Sequence, residues 1–289
     1  MAKVLIIGSG PAGVSAALYA RRGGADVTVI SKGSGALGKA EKIENYYGLE
    51  EPITGRELER RGIAGAMRLG VEFVTDEVMG LGFREDMKGF RAICGERVYE
   101  ADCVILAAGA SRKSPSLPGL RELEGHGVSY CAVCDAFFYR GKRAAVLGAG
   151  EYAMHEAQVL LPHAAKVLLL TDGAAPEADV PEGVEVHEAK LQAILGESRV
   201  EAVKCADGEE IAVDGIFVAI GTAGSTELAR KMGLLLEGNA VHIEEDGSTN
   251  IPGVFAAGDC TGGLLQIAKA VYQGAAAGLA AVKYLREKA

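Results

Sequence analysis

Cys131 and Cys134 stand three residues apart with Asp135 directly behind them, and no other two of the six cysteines lie so close. A Cys-x-x-Cys pair can close a small exchangeable disulfide, supply half of a metal site, or sit as two buried thiols. The metal reading needs two further ligands, yet there is no second close pair, and His126, His155, His163, His187 and His242 show no paired ligand spacing. A redox disulfide is therefore favoured and no metal is expected. Asp135 is placed to move a proton as a thiolate forms or leaves. Cys94, Cys103, Cys205 and Cys260 lack such neighbours and are expected to be structural.

A second kind of chemistry is written in glycine. Gly8-Ser9-Gly10-Pro11-Ala12-Gly13 follows the apolar run Lys3 to Ile7, precedes an Ala-rich helix to about Arg22, and is succeeded by a second run, Asp26 to Ile30. In that context Gly8 permits a tight turn, Gly10 lets backbone N–H groups approach a pyrophosphate, and Gly13 lets helix and strand pack closely. The acid expected at the end of the second strand is missing, with Ser31 and Lys32 in its place. The pattern recurs at Gly148-Ala149-Gly150-Glu151-Tyr152-Ala153, between Ala144–Leu147 and a helix to about Leu161, with Lys166–Leu170 as the next strand. Here Glu151 sets a negative charge, and Tyr152 a bulky ring, where a pyrophosphate would meet the helix. Asp172 lies 24 residues after Gly148, where an acid could meet a ribose hydroxyl or merely open an Asp-Gly turn.

The elements that position these residues are those of an α/β chain. Asp102–Gly109 and Gly215–Gly221 read as buried parallel strands ending on glycine, a third run, Pro252–Asp259, ends on an acid just before the last helix, and Val71 to Tyr99 reads as an antiparallel excursion. The length of 289 residues suggests two domains at about 150 residues each. Forty glycines beside eight prolines in a chain that is 49% hydrophobic place the glycines in folded turns and close approaches. The net charge of −9 works against nucleic acid and anionic membranes as partners. The opening has only four strongly apolar residues, Val4 to Ile7, and the Ala-rich C-terminal segment is interrupted by Gln266, Lys269, Gln273 and Gly278. A cytoplasmic location without a membrane span is expected.

Taken together, Gly8–Gly13, Cys131–Asp135 followed by Ala136-Phe137-Phe138-Tyr139, the second glycine motif, and Gly253-Val254-Phe255-Ala256-Ala257-Gly258-Asp259 resemble the low-molecular-weight thioredoxin reductases over nearly the whole chain. The resemblance implies two Rossmann-like, three-layer ββα domains, the second inserted in the first: an FAD domain of residues 1–113 and 244–289, and an NAD(P)-binding-like domain of residues 114–243 carrying the cysteines. Carried over, Gly8, Ser9, Gly10, Ala12 and Gly13 meet the FAD pyrophosphate, Ala36, Leu37 and Asn45 lie along the flavin, and Gly109 lies under the cofactor. Asp259, Gln266 and Ile267 contact the ribityl chain and the isoalloxazine ring. The family's Trp-Pro after that asparagine is Tyr46-Tyr47 here. Cys134 is then the flavin-facing thiol, Cys131 the interchange thiol, and Asp135 the acid/base. Thioredoxin or a similar dithiol protein is the implied partner, a homodimer the implied assembly, and rotation about hinges near Ser111–Ser114 and His242–Asp246 the implied way of serving both flavin and partner.

The chain departs from the family at the second glycine motif. The family's His-Arg-Arg cluster for the NADPH 2′-phosphate is Leu169-Leu170-Thr171-Asp172-Gly173-Ala174-Ala175-Pro176 here, and no arginine follows until Arg199. NADPH binding of the usual kind is not expected. The chain is similar in this respect to ferredoxin-dependent flavin thioredoxin reductases, which makes ferredoxin the expected donor, with Lys32, Lys39 and Lys42 as a candidate basic patch for it. NADH remains open through Asp172, as does a flavoprotein sensor without turnover.

Overall fold

The computed structural model describes residues 2–109, 116–130, 132–220 and 225–288, with backbone alone at 133 and 134. The helices, in chain order, are α1 (Pro11–Arg22), α2 (Gly55–Arg68), α3 (Ala132–Asp135), α4 (Glu151–Leu160), α5 (Ser225–Met232) and α6 (Ile267–Lys288).

Contacts group residues 1–111 with 224–289, and leave 112–223, which interrupt that unit along the chain, as a second unit. In the first unit a five-stranded parallel sheet runs in the order Val254–Ala256, Cys103–Leu106, Lys3–Ile7, Asp26–Ser31, Glu72–Thr75. Its register sets Ile7 opposite both Ile30 and Leu106, so the strand ends that lead into Gly8 and Gly109 are level. The run Val71–Tyr99 is only partly the antiparallel excursion expected. Gly80–Phe83, Phe90–Cys94 and Arg97–Ala101 form that sheet, but Glu72–Thr75 joins the parallel one. Its short, half-buried and polar character is that of an edge strand.

Pro11 at the start and Gly23 and Gly24 at the end bound α1, as helix chemistry favours. Its buried face, Ala12, Gly13, Ala16, Ala17 and Ala20, is small so that α6 can approach. A Cβ at Gly274 of α6 would lie 2.1 Å from the Ala12 carbonyl oxygen, and one at Gly278 2.6 Å from that of Ala16. Ser15 Oγ closes the contact by donating to the Val271 carbonyl at 2.7 Å. Small residues of α1 and α6 thus meet across one close helix pair. Thr54-x-x-Glu57 marks the start of α2, where Thr54 Oγ1 accepts the Glu57 N–H at 3.2 Å.

The second unit repeats the plan, with parallel strands ordered Val184–His187, Lys166–Leu170, Arg143–Leu147, Gly215–Val218, Val128–Ser129 and a separate antiparallel sheet of Leu191–Leu195, Ala202–Cys205 and Glu210–Ala212. Its core joins Ala145, Leu147, Leu168, Leu170, Ile216 and Val218 to Ile194 and Val203 of the second sheet.

The return crossing differs from the expected boundary between 243 and 244. Residues 225–243 group with the first unit because α5 packs there: Lys231 Nζ donates to the Met79 carbonyl at 2.9 Å and Thr226 Oγ1 to that of Asn239 at 2.8 Å. The stretch His242–Asp246 lies inside that unit, its His242 N–H bonded to the Leu235 carbonyl at 2.9 Å. The other expected hinge, Ser111–Ser114, falls outside the described residues. No helix among the described residues is long and apolar enough to cross a membrane.

Candidate active site

The first glycine loop is built by close backbone approach. Gly8 has φ of +110°, and a Cβ there would lie 2.3 Å from the Ala107 carbonyl oxygen; a Cβ at Gly13 would lie 1.9 Å from that of Gly8. At Gly10 the same construction meets nothing within 4 Å, so the loop is open on the side where a ligand would approach. α1 starts at Gly10 with no side-chain cap and no acid in its first turn, which leaves its N-terminal N–H groups to an anion.

Two other segments converge on this loop. Gly109, with φ of +75°, follows Ala108, whose N–H donates to Ser225 Oγ at 3.1 Å. Gly258, with φ of +88°, comes so near α1 that a Cβ would lie 2.8 Å from Ala12 Cβ. The Gly258–Gly262 turn that holds Asp259 is tied to α6. Gln273 Oε1 accepts from the Gly258 N–H at 3.0 Å and the Thr261 hydroxyl at 2.9 Å, and Lys269 Nζ donates to the Gly258 carbonyl at 2.9 Å. Burial pushes the Lys269 ammonium below its ordinary value, against the opposing pull of Asp259 and Cys260. In the sequence Lys269 and Gln273 mark only breaks in an apolar run and Ser225 marks nothing, because no local signal identifies a side chain that braces a distant loop.

Of the residues expected along the flavin, Asn45 Nδ2 donates to Gln266 Oε1 at 3.3 Å, which joins the 36–45 stretch to the start of α6 at Ile267. Ala36 precedes the short 3-10 turn Leu37–Lys39, and Ala36, Asn45 and Gln266 are exposed. Ser9 and Ser31 hydrogen bond at 2.9 Å where an acid was missing. Beside them Lys32 pairs with buried Glu77. Lys42 pairs with Glu44 at 2.8 Å. Two of the three lysines read as a basic patch therefore have carboxylate partners.

In the second unit, Cys131 lies outside the described residues, and of Cys134 the backbone alone is described, within α3. Asp135 accepts from Ser129 Oγ at 2.7 Å. Tyr139 packs edge-on against Phe217 with ring centroids 5.0 Å apart, and its phenol is pushed up first by burial, then by Asp135 and Asp214. The other cysteines fit a structural part. All four are free and buried, with Cys94 and Cys103 pushed up to about 12 and Cys260 to about 11, chiefly by burial.

The second glycine loop keeps the shape of the first. A Cβ at Gly148 would lie 2.2 Å from the Ala219 carbonyl oxygen, and α4 starts at Gly150 without a side-chain cap. Its first turn differs by carrying the exposed acid Glu151. Tyr152 corrects an expectation: its ring does not stand at the pyrophosphate position but is 1% exposed, with its hydroxyl donating to the Tyr130 carbonyl at 3.3 Å. Position N2 of this helix faces the core, which a linear motif does not reveal. Asp172 has φ of +53°, as turn residues tolerate. Its Oδ1 accepts from the Leu191 N–H at 2.9 Å and its Oδ2 from Lys190 Nζ at 2.8 Å.

The family model for pyridine nucleotide-disulphide oxidoreductases matches residues 2–274. The thioredoxin reductase of Aquifex aeolicus is 35% identical, over 99% of this chain and 94% of that one. Among solved structures, the atypical thioredoxin reductase TRi from Desulfovibrio vulgaris Hildenborough is 39% identical with a TM-score of 0.93, covering 100% of this chain and 99% of that one. A ferredoxin-flavin thioredoxin reductase from Clostridium acetobutylicum is 33% identical with a TM-score of 0.78, covering 99% and 98%.

Proposed function

From the premise that this chain belongs to the thioredoxin reductases among the FAD-binding pyridine nucleotide-disulphide oxidoreductases, we propose that it reduces thioredoxin, or a similar small dithiol protein, with electrons taken from ferredoxin rather than NADPH. The first unit holds FAD and the second the Cys131/Cys134 disulfide, and the protein works in the cytoplasm as a homodimer. The described residues fit FAD: the loop at Gly10 is open, the first turn of α1 carries no acid, and Gly109 and Gly258 meet it from two other strands. FAD supplies a carrier between the donor and the disulfide. The protein's part is then to open that disulfide, which takes up two electrons and two protons as Cys131 and Cys134 become thiols. Cys134 accepts from the flavin side, Cys131 attacks the partner disulfide, and Asp135, oriented by Ser129, relays the proton.

The observation that carries the choice of donor is the state of the second cradle. Glu151 puts a negative charge at the head of α4, Asp172 is committed to Lys190 and Leu191, and no arginine lies between Arg143 and Arg199 to meet a 2′-phosphate. The name of the Clostridium acetobutylicum relative, a ferredoxin-flavin thioredoxin reductase, supports the same reading.

The test is anaerobic absorbance spectroscopy of the bound flavin mixed in turn with NADPH, NADH and reduced ferredoxin. Bleaching by ferredoxin alone is expected; rapid bleaching by NADPH overturns the choice of donor. Cys134→Ser is expected to keep FAD while abolishing thioredoxin reduction, and turnover retained in that variant removes the disulfide from the mechanism.

A further inference from the structure

Tyr152 and Glu156 stand one turn apart on α4, and both are only 1% exposed. Each reaches the same short stretch of chain. The Tyr152 hydroxyl donates to the Tyr130 carbonyl at 3.3 Å, and Glu156 Oε2 accepts the Ala132 N–H at 2.7 Å. The first of these groups belongs to the peptide that enters Cys131 and the second to the peptide that leaves it. Covalent geometry puts both peptides within two bonds of the Cys131 Cα. Packing does not explain this choice of side chains, since Ala153, Ala157 and Leu160 already bury the face of α4, and an apolar residue at 156 would avoid the cost of a buried carboxyl.

We propose that Glu156, assisted by Tyr152, is a positioning residue for the redox pair, fixing the peptides on both sides of Cys131 and setting how readily its thiol ionises. The inference rests on the reading of Cys131 and Cys134 as an exchangeable disulfide. The carboxyl holds the Ala132 N–H in place, and a carboxylate at 156 would oppose a negative charge on the pair. Titratable groups on the elements packed against α3 are Glu151, Tyr152, His155 and Glu156 of α4 and Tyr139 of the turn after α3, with Asp135 on α3 itself. Among the described residues, Glu156 is the carboxyl bonded to a peptide of the pair.

The test is alkylation of the reduced FAD-loaded protein across pH, followed cysteine by cysteine by mass spectrometry, with buried Cys94, Cys103 and Cys260 as unreactive standards. Glu156→Gln keeps an acceptor oxygen, so FAD is retained and the Cys131 profile is expected to move down by about one pH unit, a roughly tenfold faster reaction at a fixed pH below the midpoint. Tyr152→Phe, which loses one hydroxyl, is expected to lower thioredoxin turnover several-fold with the flavin spectrum unchanged, and serves as the measurement if Glu156→Gln loses FAD. Profiles and turnover identical to the parent in both variants overturn the proposal. The parent reports separately on the underlying reading: if reduction frees no thiol at Cys131 and Cys134, the disulfide assignment falls; if it does and the variants match the parent, the positioning role alone falls.

Discussion

Gly13 shows how little room a cofactor cradle leaves. Its missing Cβ would stand 1.9 Å from the Gly8 carbonyl, a backbone atom that cannot step aside. Gly13→Ala is expected to part α1 from the strand before it at a cost of about 1–3 kcal/mol. The protein should keep its circular dichroism spectrum and lose its flavin absorbance on gel filtration, and full retention of flavin would remove Gly13 from the cradle. Residues of this kind were legible in the sequence because a Gly-x-Gly-x-x-Gly turn is local, its geometry dictated by six consecutive backbones. Asp172 and Tyr152 were not. The sequence permitted Asp172 to meet a ribose and Tyr152 to block a pyrophosphate. The partners that claim them, Lys190 and Leu191 for one and Tyr130 for the other, lie about twenty residues away along the chain.

Helix ends and helix faces obey the same division. In α2, Arg60 and Arg61 beside Glu57 hold its carboxyl down at about 2. A depressed folded value means that the stability contributed by this carboxylate is present above the ordinary 4.5 and is lost as pH falls towards 2. The melting temperature of the parent should therefore exceed that of Glu57→Gln at neutral pH, and the gap should close on acidification; a gap independent of pH would assign it to some other contact. Two glycine-to-alanine changes test helix packing by their opposite signs. Gly65 of α2 has nothing within 4 Å of its missing Cβ, so Gly65→Ala should stabilise by about 0.5–1 kcal/mol through helix propensity. Gly274 of α6 would press 2.1 Å from the Ala12 carbonyl, so Gly274→Ala should destabilise by about 1–3 kcal/mol and weaken flavin retention. Thermal melts of the two variants decide it. α6 was legible as a long Ala-rich helix, but that its small residues face α1 needed the structure.

At the scale of the whole molecule the net charge of −9 opposes an acidic donor, so docking of the ferredoxin proposed above would depend on local cations. Lys32 and Lys42 have carboxylate partners, which leaves Lys39 as the lysine of the patch to test. Lys39→Glu is expected to slow flavin reduction by ferredoxin several-fold at low ionic strength and little at high, where screening removes the difference. Equal rates at both place the donor elsewhere. The sequence by itself determined the two glycine cradles, the α/β class, the strand–turn–helix–strand units that carry them and the isolation of Cys131, Cys134 and Asp135, because each is encoded in neighbouring residues or a short period. Only the tertiary structure decided that α5 belongs to the first unit, that Asp172 is spent within its own unit, and that α4 turns Tyr152 and Glu156 onto the peptides of Cys131. Those outcomes depend on which distant groups meet, and burial and hydrogen-bond competition settle that among residues that no local pattern links.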